Sequence, residues 1–187
     1  MGVLNYISML DITAVRLVRE YISCGFLDKI MPVVTLFGED GIFWIVLSIV
    51  LMLFKKTRKA GFVMALAMLI GFCIGNLTLK PLVARPRPYS IDTNAALLIK
   101  PLSDFSFPSG HTLVCFEGAV SLLECGFKRL GRISLVIAFL VAFSRVYLYV
   151  HYPTDVIAGA ILGSAFAYIS YSFVNFIVTS YKKRKRC

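Results

Sequence analysis

Charged residues are scarce in this chain: only 16% of its 187 residues are Asp, Glu, Lys or Arg, while 58% are hydrophobic and the mean hydropathy is +0.80. A soluble domain of this size carries about a quarter of its residues charged. The deficit, together with apolar residues gathered in long blocks, excludes an ordinary soluble globular domain and points to a membrane protein. Pro/Ser-rich linkers and low-complexity stretches are missing too, so residues 1–187 are expected to form a single integral-membrane domain. Cysteine is present as Cys24, Cys73, Cys115, Cys125 and Cys187, an odd number without CxxC spacing. That pattern argues against a disulfide framework or a cysteine metal site, and Cys inside apolar blocks behaves as a small hydrophobe. A cleavable signal is not expected either, because Met1 to Leu10 lacks a basic n-region and Asp11 and Arg16 follow at once.

What charge there is has one dominant sign, a formal +10. Its placement argues against nucleic acid as a partner. The Lys and Arg residues fall in short clusters between apolar blocks: Lys55, Lys56, Arg58 and Lys59, then Lys128, Arg129 and Arg132, then a tail from Lys182 to Arg186. Clusters beside membrane spans set topology and attract anionic headgroups.

Five apolar segments are expected to span the bilayer, near Gly41–Phe54, Gly61–Leu79, Thr112–Phe127, Ile133–Val150 and Val156–Val178. The first is short and can begin upstream near Met31; the third carries Glu117 and Glu124. Within residues 1–30, the stretch from Leu4 to Ile22 has helical apolar spacing with Asn5, Ser8, Arg16, Arg19 and Ser23 opposite, an amphipathic helix lying in the interface or a sixth, tilted span. With five alternating spans the three basic clusters share one side, cytoplasmic by the positive-inside rule, and so does the tail at 180–187. The loop from Lys80 to His111 and the turn at His151 then face the other side. Gly71/Gly75 and Gly159/Gly163 allow close helix packing, and the four-residue steps His151, Asp155, Gly159, Gly163 turn Asp155 toward the bundle interior.

The outer connections hold the chemistry. Lys80, Arg87 and Arg145 bring three cations to one membrane face, where an unpaired charge is costly and an anion is wanted. Arg offers a planar fork that matches phosphate oxygens, and Lys a point charge. Ser109 and Gly110 precede a helix whose N-terminal N–H groups form an anion site, with Gly110 letting backbone come close. The chain has two histidines, His111 and His151, both on this face. Asp155, four residues after His151, can orient its imidazole so that the other nitrogen attacks phosphorus. His111 would serve as acid and base for the leaving oxygen and the water.

These residues fall into three stretches: Lys80, six residues, Arg87-Pro88; Pro108-Ser109-Gly110-His111; and Ser144-Arg145, five residues, His151, three residues, Asp155. Together they resemble the three-part signature of the type-2 phosphatidic acid phosphatase and vanadium haloperoxidase superfamily, and the span pattern is similar to its small bacterial members. The resemblance implies an all-α, multi-pass membrane bundle with its site at the extracytoplasmic helix ends. It implies that Lys80, Arg87, Ser109, Gly110 and Arg145 bind phosphate, that His151 becomes the phosphohistidine, that Asp155 orients it, and that His111 is the acid/base. It implies no cofactor and no catalytic metal. A lipid phosphate or diphosphate is the expected substrate, undecaprenyl diphosphate first, with phosphatidic acid or phosphatidylglycerophosphate as the alternative. A lipid or ion transporter is the rival from a different class, opposed by the clustering of charge on one face. Arg85 is expected to contact a headgroup, Asn76 to steady Lys80, and Glu117 to be a satisfied polar group between helices.

Overall fold

The computed structural model describes residues 3–93 and 95–184, and every regular element among them is helical. Lys185, Arg186 and Cys187, part of the basic tail expected from the sequence, lie outside the described residues.

Helix α1 (Val3–Leu17) runs on through a wide turn, Val18–Ile22. A break at Ser23 and Cys24 separates it from α2 (Gly25–Val34), so residues 1–30 hold parts of two helices. A tight stretch, Thr35–Gly41, joins α2 to α3 (Ile42–Leu53). The kink there is made by Asp40 and Gly41, whose φ angles are 48° and 67°. Next comes α4 (Arg58–Gly71), which widens over Phe72–Leu79 into i→i+5 bonding and ends as α5 (Lys80–Val83). The wide turn precedes Pro81, which has no N–H to give an ordinary helical bond. A single turn, α6 (Pro88–Ile91), then leads through a loop to α7 (Gly110–Glu124), α8 (Lys128–Tyr147) and α9 (Pro153–Arg184).

Among the described residues, four helical stretches are long and apolar enough to cross a membrane: Gly25–Leu53, Arg58–Ile91, Lys128–Tyr147 and Pro153–Tyr181. The 20 residues of α8 rise about 30 Å, the thickness of a hydrocarbon core. The stretch expected to span at Thr112–Phe127 differs. It forms α7, which has 15 residues and buries nine of them, Glu117 included, against α4, α8 and α9.

Small residues set the helix crossings. A Cβ on Gly159 would lie 2.7 Å from the Ser109 carbonyl oxygen, and one on Gly163 2.4 Å from that of Leu113. Both glycines therefore press α9 onto the first turns of α7, as the spacing had predicted. Gly118 receives the face of Trp44 in the same way, its Cβ position 2.0 Å from Cε3. Because backbone cannot step aside as a side chain can, Gly163→Val is expected to cost about 3 kcal/mol or more. Thermal unfolding in detergent checks this; an unchanged midpoint would contradict the packing described.

The N-terminal helix is not simply laid in an interface. Val15 is fully buried, and so is Asp11 at 4% exposure. Val15 packs with Val146, Tyr149 and Tyr152, which brings α1 against the turn that carries His151.

Candidate active site

The chain reverses so that the end of α5, the start of α7, the end of α8 and the start of α9 meet at one end of the bundle. A cavity of about 740 Å³ opens there, lined by Lys80, Arg87, Gly110, His111, Arg145 and His151. Six of the eight expected site residues thus share one space. Ser109 and Asp155, both fully buried, stand behind it. Ser109 is the N-cap of α7: its Oγ accepts from the Thr112 amide at 3.5 Å and meets the Thr112 hydroxyl at 3.0 Å. The cap explains why α7 starts there and leaves the amides of its first turn to face an anion.

The cations are already engaged. Asp104 bridges two of them, ion-paired to Lys80 Nζ and, at 2.5 Å, to Arg87 Nη2. Arg87 also donates to the carbonyls of Asp104 at 2.9 Å and Val150 at 2.8 Å. Burial pushes the Asp104 carboxyl up, but Lys80 and then Arg87 outweigh it and hold it at about 2, below the usual 3.8. The folded-state value is the lower one, so the stability this cluster contributes is present above pH about 4 and lost as pH falls through about 2. Asp104→Asn is expected to remove that acid dependence. It should also lower KM for a phosphorylated lipid several-fold, because a carboxylate no longer competes for Lys80 and Arg87. An unchanged or higher KM would mean that Asp104 helps to bind substrate instead.

Arg145 is held by one corner. Its Nη1 donates to Thr35 Oγ1 at 2.7 Å, while Nε and Nη2, also buried, have no partner among the described residues. Those two N–H groups form one edge of the guanidinium of a residue that lines the cavity.

The network defines the tautomer of His151. Arg87 Nη1 lies 3.2 Å from His151 Nε2, and a guanidinium can only donate. Nε2 is therefore the acceptor and Nδ1 carries the proton, facing Asp155 Oδ2 at 3.5 Å. Asp155 Oδ2 also accepts from the Ser106 hydroxyl and from the Tyr152 amide at 3.0 Å. Burial drives His151 down from 6.5 to about 3; Asp155 pulls it back part of the way, and Arg145 and Arg87 push it lower. The imidazole is thus neutral near pH 7 with a lone pair on Nε2 at the cavity. On the opposite wall His111 Nε2 sits 3.1 Å from Glu39 Oε2.

Four side expectations are corrected. Arg85 does not await a headgroup: it is paired with Asp11 and Asp155, each at 2.6 Å. Lys80 is engaged by Asp104, not by Asn76, whose buried Oδ1 has no partner among the described residues. Glu117 lies between helices, against Gly71, but neither carboxyl oxygen has a partner among the described residues. Ser109 turns its hydroxyl to the helix cap and not to the cavity.

Sequence reasoning missed Asp11, Thr35, Glu39, Asp104 and Ser106. Asp11 and Glu39 left a signal, since an acid within an apolar segment needs a partner. Asp104 and Ser106 stand just before the Pro108-Ser109-Gly110-His111 stretch, in a loop with no periodicity to read.

Beyond the cations the cavity continues as a groove between α3 and α4, along Ile45, Ile49, Leu69 and Phe72. These four side chains are exposed on the outside of the bundle, at 44%, 54%, 59% and 52%. The groove is therefore open along the face that meets lipid. A helical membrane bundle with a cationic pocket at its mouth and an apolar channel beside it belongs to the class of membrane enzymes that act on phosphorylated lipids. The PAP2 superfamily model matches residues 56–178, and the chain is a lipid phosphatase belonging to that superfamily. It is 35% identical over 151 residues to an undecaprenyl-diphosphatase from Sulfolobus acidocaldarius, covering 81% of this chain and 72% of that protein. The crystal structure of a transmembrane PAP2-type phosphatidylglycerolphosphate phosphatase from Bacillus subtilis superposes with TM-score 0.76 at 28% identity, over 92% of this chain and 88% of that one. LpxE from Aquifex aeolicus superposes with TM-score 0.72, also at 28% identity, over 87% and 95% of the two chains. Asp11, Thr35 and Glu39 precede the matched residues, so this chain completes its site with side chains from outside the family segment.

Proposed function

We propose that this enzyme hydrolyses undecaprenyl diphosphate through a phosphohistidine on His151. The observation that carries the reading is the orientation of His151, neutral, with Nε2 at the cavity and Nδ1–H toward Asp155. Burial and then the neighbouring Arg145, Lys80 and Arg87 keep His111 neutral in the free enzyme, so it gains its proton as the anionic substrate binds. Nε2 attacks the terminal phosphorus, and the bond to the bridging oxygen breaks as His111 protonates that oxygen. Lipid monophosphate leaves. Water, deprotonated by His111, then attacks the phosphohistidine and frees inorganic phosphate and His151. Lys80, Arg87, Arg145 and the first amides of α7 hold the three non-bridging oxygens. The diphosphatase relative supports the substrate. A second reading, phosphatidylglycerophosphate phosphatase, is favoured by the Bacillus subtilis structure.

The same proposal has the site facing the extracytoplasmic side and the C-terminus in the cytoplasm. Lys55, Lys56, Arg58 and Lys59 lie at the α3–α4 turn and Lys128 and Arg129 at the start of α8, the end of the bundle opposite Lys80, His111 and His151. The positive-inside rule makes that end cytoplasmic.

The test is phosphate release by purified, detergent-solubilised protein from undecaprenyl diphosphate, phosphatidylglycerophosphate and phosphatidic acid, each with and without EDTA. The expected result is preference for the diphosphate, unaffected by EDTA. Preference for phosphatidylglycerophosphate would select the second reading, and loss in EDTA would refute metal-free chemistry. Acid assistance separates the substrates further. A diphosphate expels a phosphate monoester whose second pKa is about 6, whereas a glycerolipid monophosphate expels an alkoxide. His111→Ala is therefore expected to cost about 10³-fold on phosphatidic acid and about tenfold on the diphosphate. Equal losses would count against His111 as the acid.

A further inference from the structure

Arg85 lies outside the cavity and outside the family signature, yet it is among the most completely engaged side chains of the protein. Its Nη1 donates to Asp155 Oδ1 at 2.6 Å and to Thr154 Oγ1 at 2.8 Å, and its Nη2 to Asp11 Oδ2 at 2.6 Å. The guanidinium carbon stands 3.9 Å above the centre of the Tyr152 ring. Asp11 in turn accepts from the Thr154 amide at 3.2 Å and from the Thr154 hydroxyl. The arginine side chain is 18% exposed, Asp11 4% and Asp155 not at all. Removing one charge from such a buried set leaves the others uncompensated.

We propose that Arg85 is a positioning residue for the reaction, clamping Asp155 in line with His151 and tying it to Asp11 of the N-terminal helix. This rests on His151 acting as the nucleophile. The clamp divides the carboxylate: Oδ1 belongs to Arg85, Oδ2 to His151, Ser106 and the Tyr152 amide. Arg85 acts through Asp155 and does not touch the reacting atoms. A fork is required, since a single ammonium cannot bridge both carboxylates with the same geometry.

The clamp also sets charge. Arg85 shares the negative charge of Asp155, which weakens that carboxylate's hold on a second imidazole proton and keeps Nε2 unprotonated. The other charged or titratable groups around the pair are Arg87 before α6, Arg145 of α8 and His111 of α7, which face His151, and Asp11 of α1 and Tyr152, which face Arg85. Arg87 and Arg145 already disfavour a protonated His151. Loss of Arg85 would leave Asp155 to favour it. Loss of Asp11 would leave Arg85 to Asp155 alone and would not favour it.

The experiment uses full-length protein in detergent with ¹⁵N-labelled histidine. Two histidines in the chain make the spectrum assignable. In Arg85→Gln the His151 signal is expected to titrate about one pH unit or more above wild type, and the acidic limb of kcat/KM to rise with it. With undecaprenyl diphosphate as substrate, kcat should fall ~10- to 100-fold with little change in KM, and Arg85→Lys should recover part of the loss. Asp11→Asn is expected not to raise the His151 titration. Equal upward shifts in both variants, or none in either, would overturn the clamp. So would a loss of thermal stability alone, with titration and pH profile unmoved. If Arg85→Gln does not fold, Arg85→Lys and Asp11→Asn give the same contrast, with a rise expected in the first only. Rapid-quench labelling of wild type with radioactive lipid diphosphate separates the two readings. No phosphohistidine at His151 would remove the nucleophile, while the titrations still judge whether Arg85 governs Asp155.

Discussion

His151→Ala is expected to lower phosphate release by at least about 10⁴-fold if His151 is the nucleophile proposed above, since its imidazole is the one oriented by Asp155. Nucleophile replacements of this kind commonly leave only what binding and electrostatics contribute. Lys80, Arg87 and Arg145 remain in the variant, so substrate should still bind, and the loss should appear in kcat with KM changed little. The fold should tolerate the change better than the reaction does, since Asp155 keeps Arg85, Ser106 and the Tyr152 amide as partners. Steady-state turnover of undecaprenyl diphosphate, with circular dichroism as a check on folding, decides the matter. Residual activity within tenfold of wild type would mean that water attacks phosphorus directly and that His151 only assists.

Arg145→Lys is expected to cost about 10³-fold in kcat/KM, the scale on which an arginine that meets transferring phosphoryl oxygens is measured. The conservative charge does not rescue it. Thr35 Oγ1 occupies Nη1, and the unpartnered Nε and Nη2 present one edge with two parallel donors. A phosphoryl group offers two oxygens at matching spacing, and lysine offers one point of charge. Most of the loss should fall on kcat, because charge on the non-bridging oxygens changes as the group transfers while the ground-state anion still meets Lys80 and Arg87. Thr35→Ala should have a smaller effect in the same direction, through the orientation of the guanidinium. If Arg145→Lys kept wild-type kcat and merely raised KM, the arginine would be a binding group only.

The fold was readable where hydropathy and period agree. The long apolar runs became α4, α8 and α9, and the four-residue steps from His151 to Gly163 became the face that α9 turns to α7. The run from Thr112 became α7, a helix of 15 residues largely surrounded by protein. Lys80, Arg87, Gly110, His111, Arg145 and His151 could be grouped because their three stretches resemble a family signature, and the fold brings all six to one cavity. Glu39, Thr35 and Asp11 could not be assigned partners, for they reach the site from 72, 110 and 144 residues away from His111, Arg145 and Asp155 respectively. Pairings over such distances are set by how α1 and the Thr35–Gly41 bend dock. That depends on shape, and single-sequence periodicity does not encode it. Arg85 was seen but misassigned, since without Asp11 in view a lone arginine beside a headgroup region had no visible partner.

The groove between α3 and α4 has a kinetic consequence. A space of about 740 Å³ accommodates something of drug size, far short of an eleven-prenyl chain. If the proposed substrate is the true one, it would be gripped by its head and first few carbons, with the remainder left among its lipid neighbours. No lipid needs to be extracted into water for turnover. The quantity that governs rate is then surface mole fraction, not bulk molarity: adding inert detergent or lipid at constant substrate should slow the enzyme by dilution in two dimensions, and chain length beyond the first units should matter little.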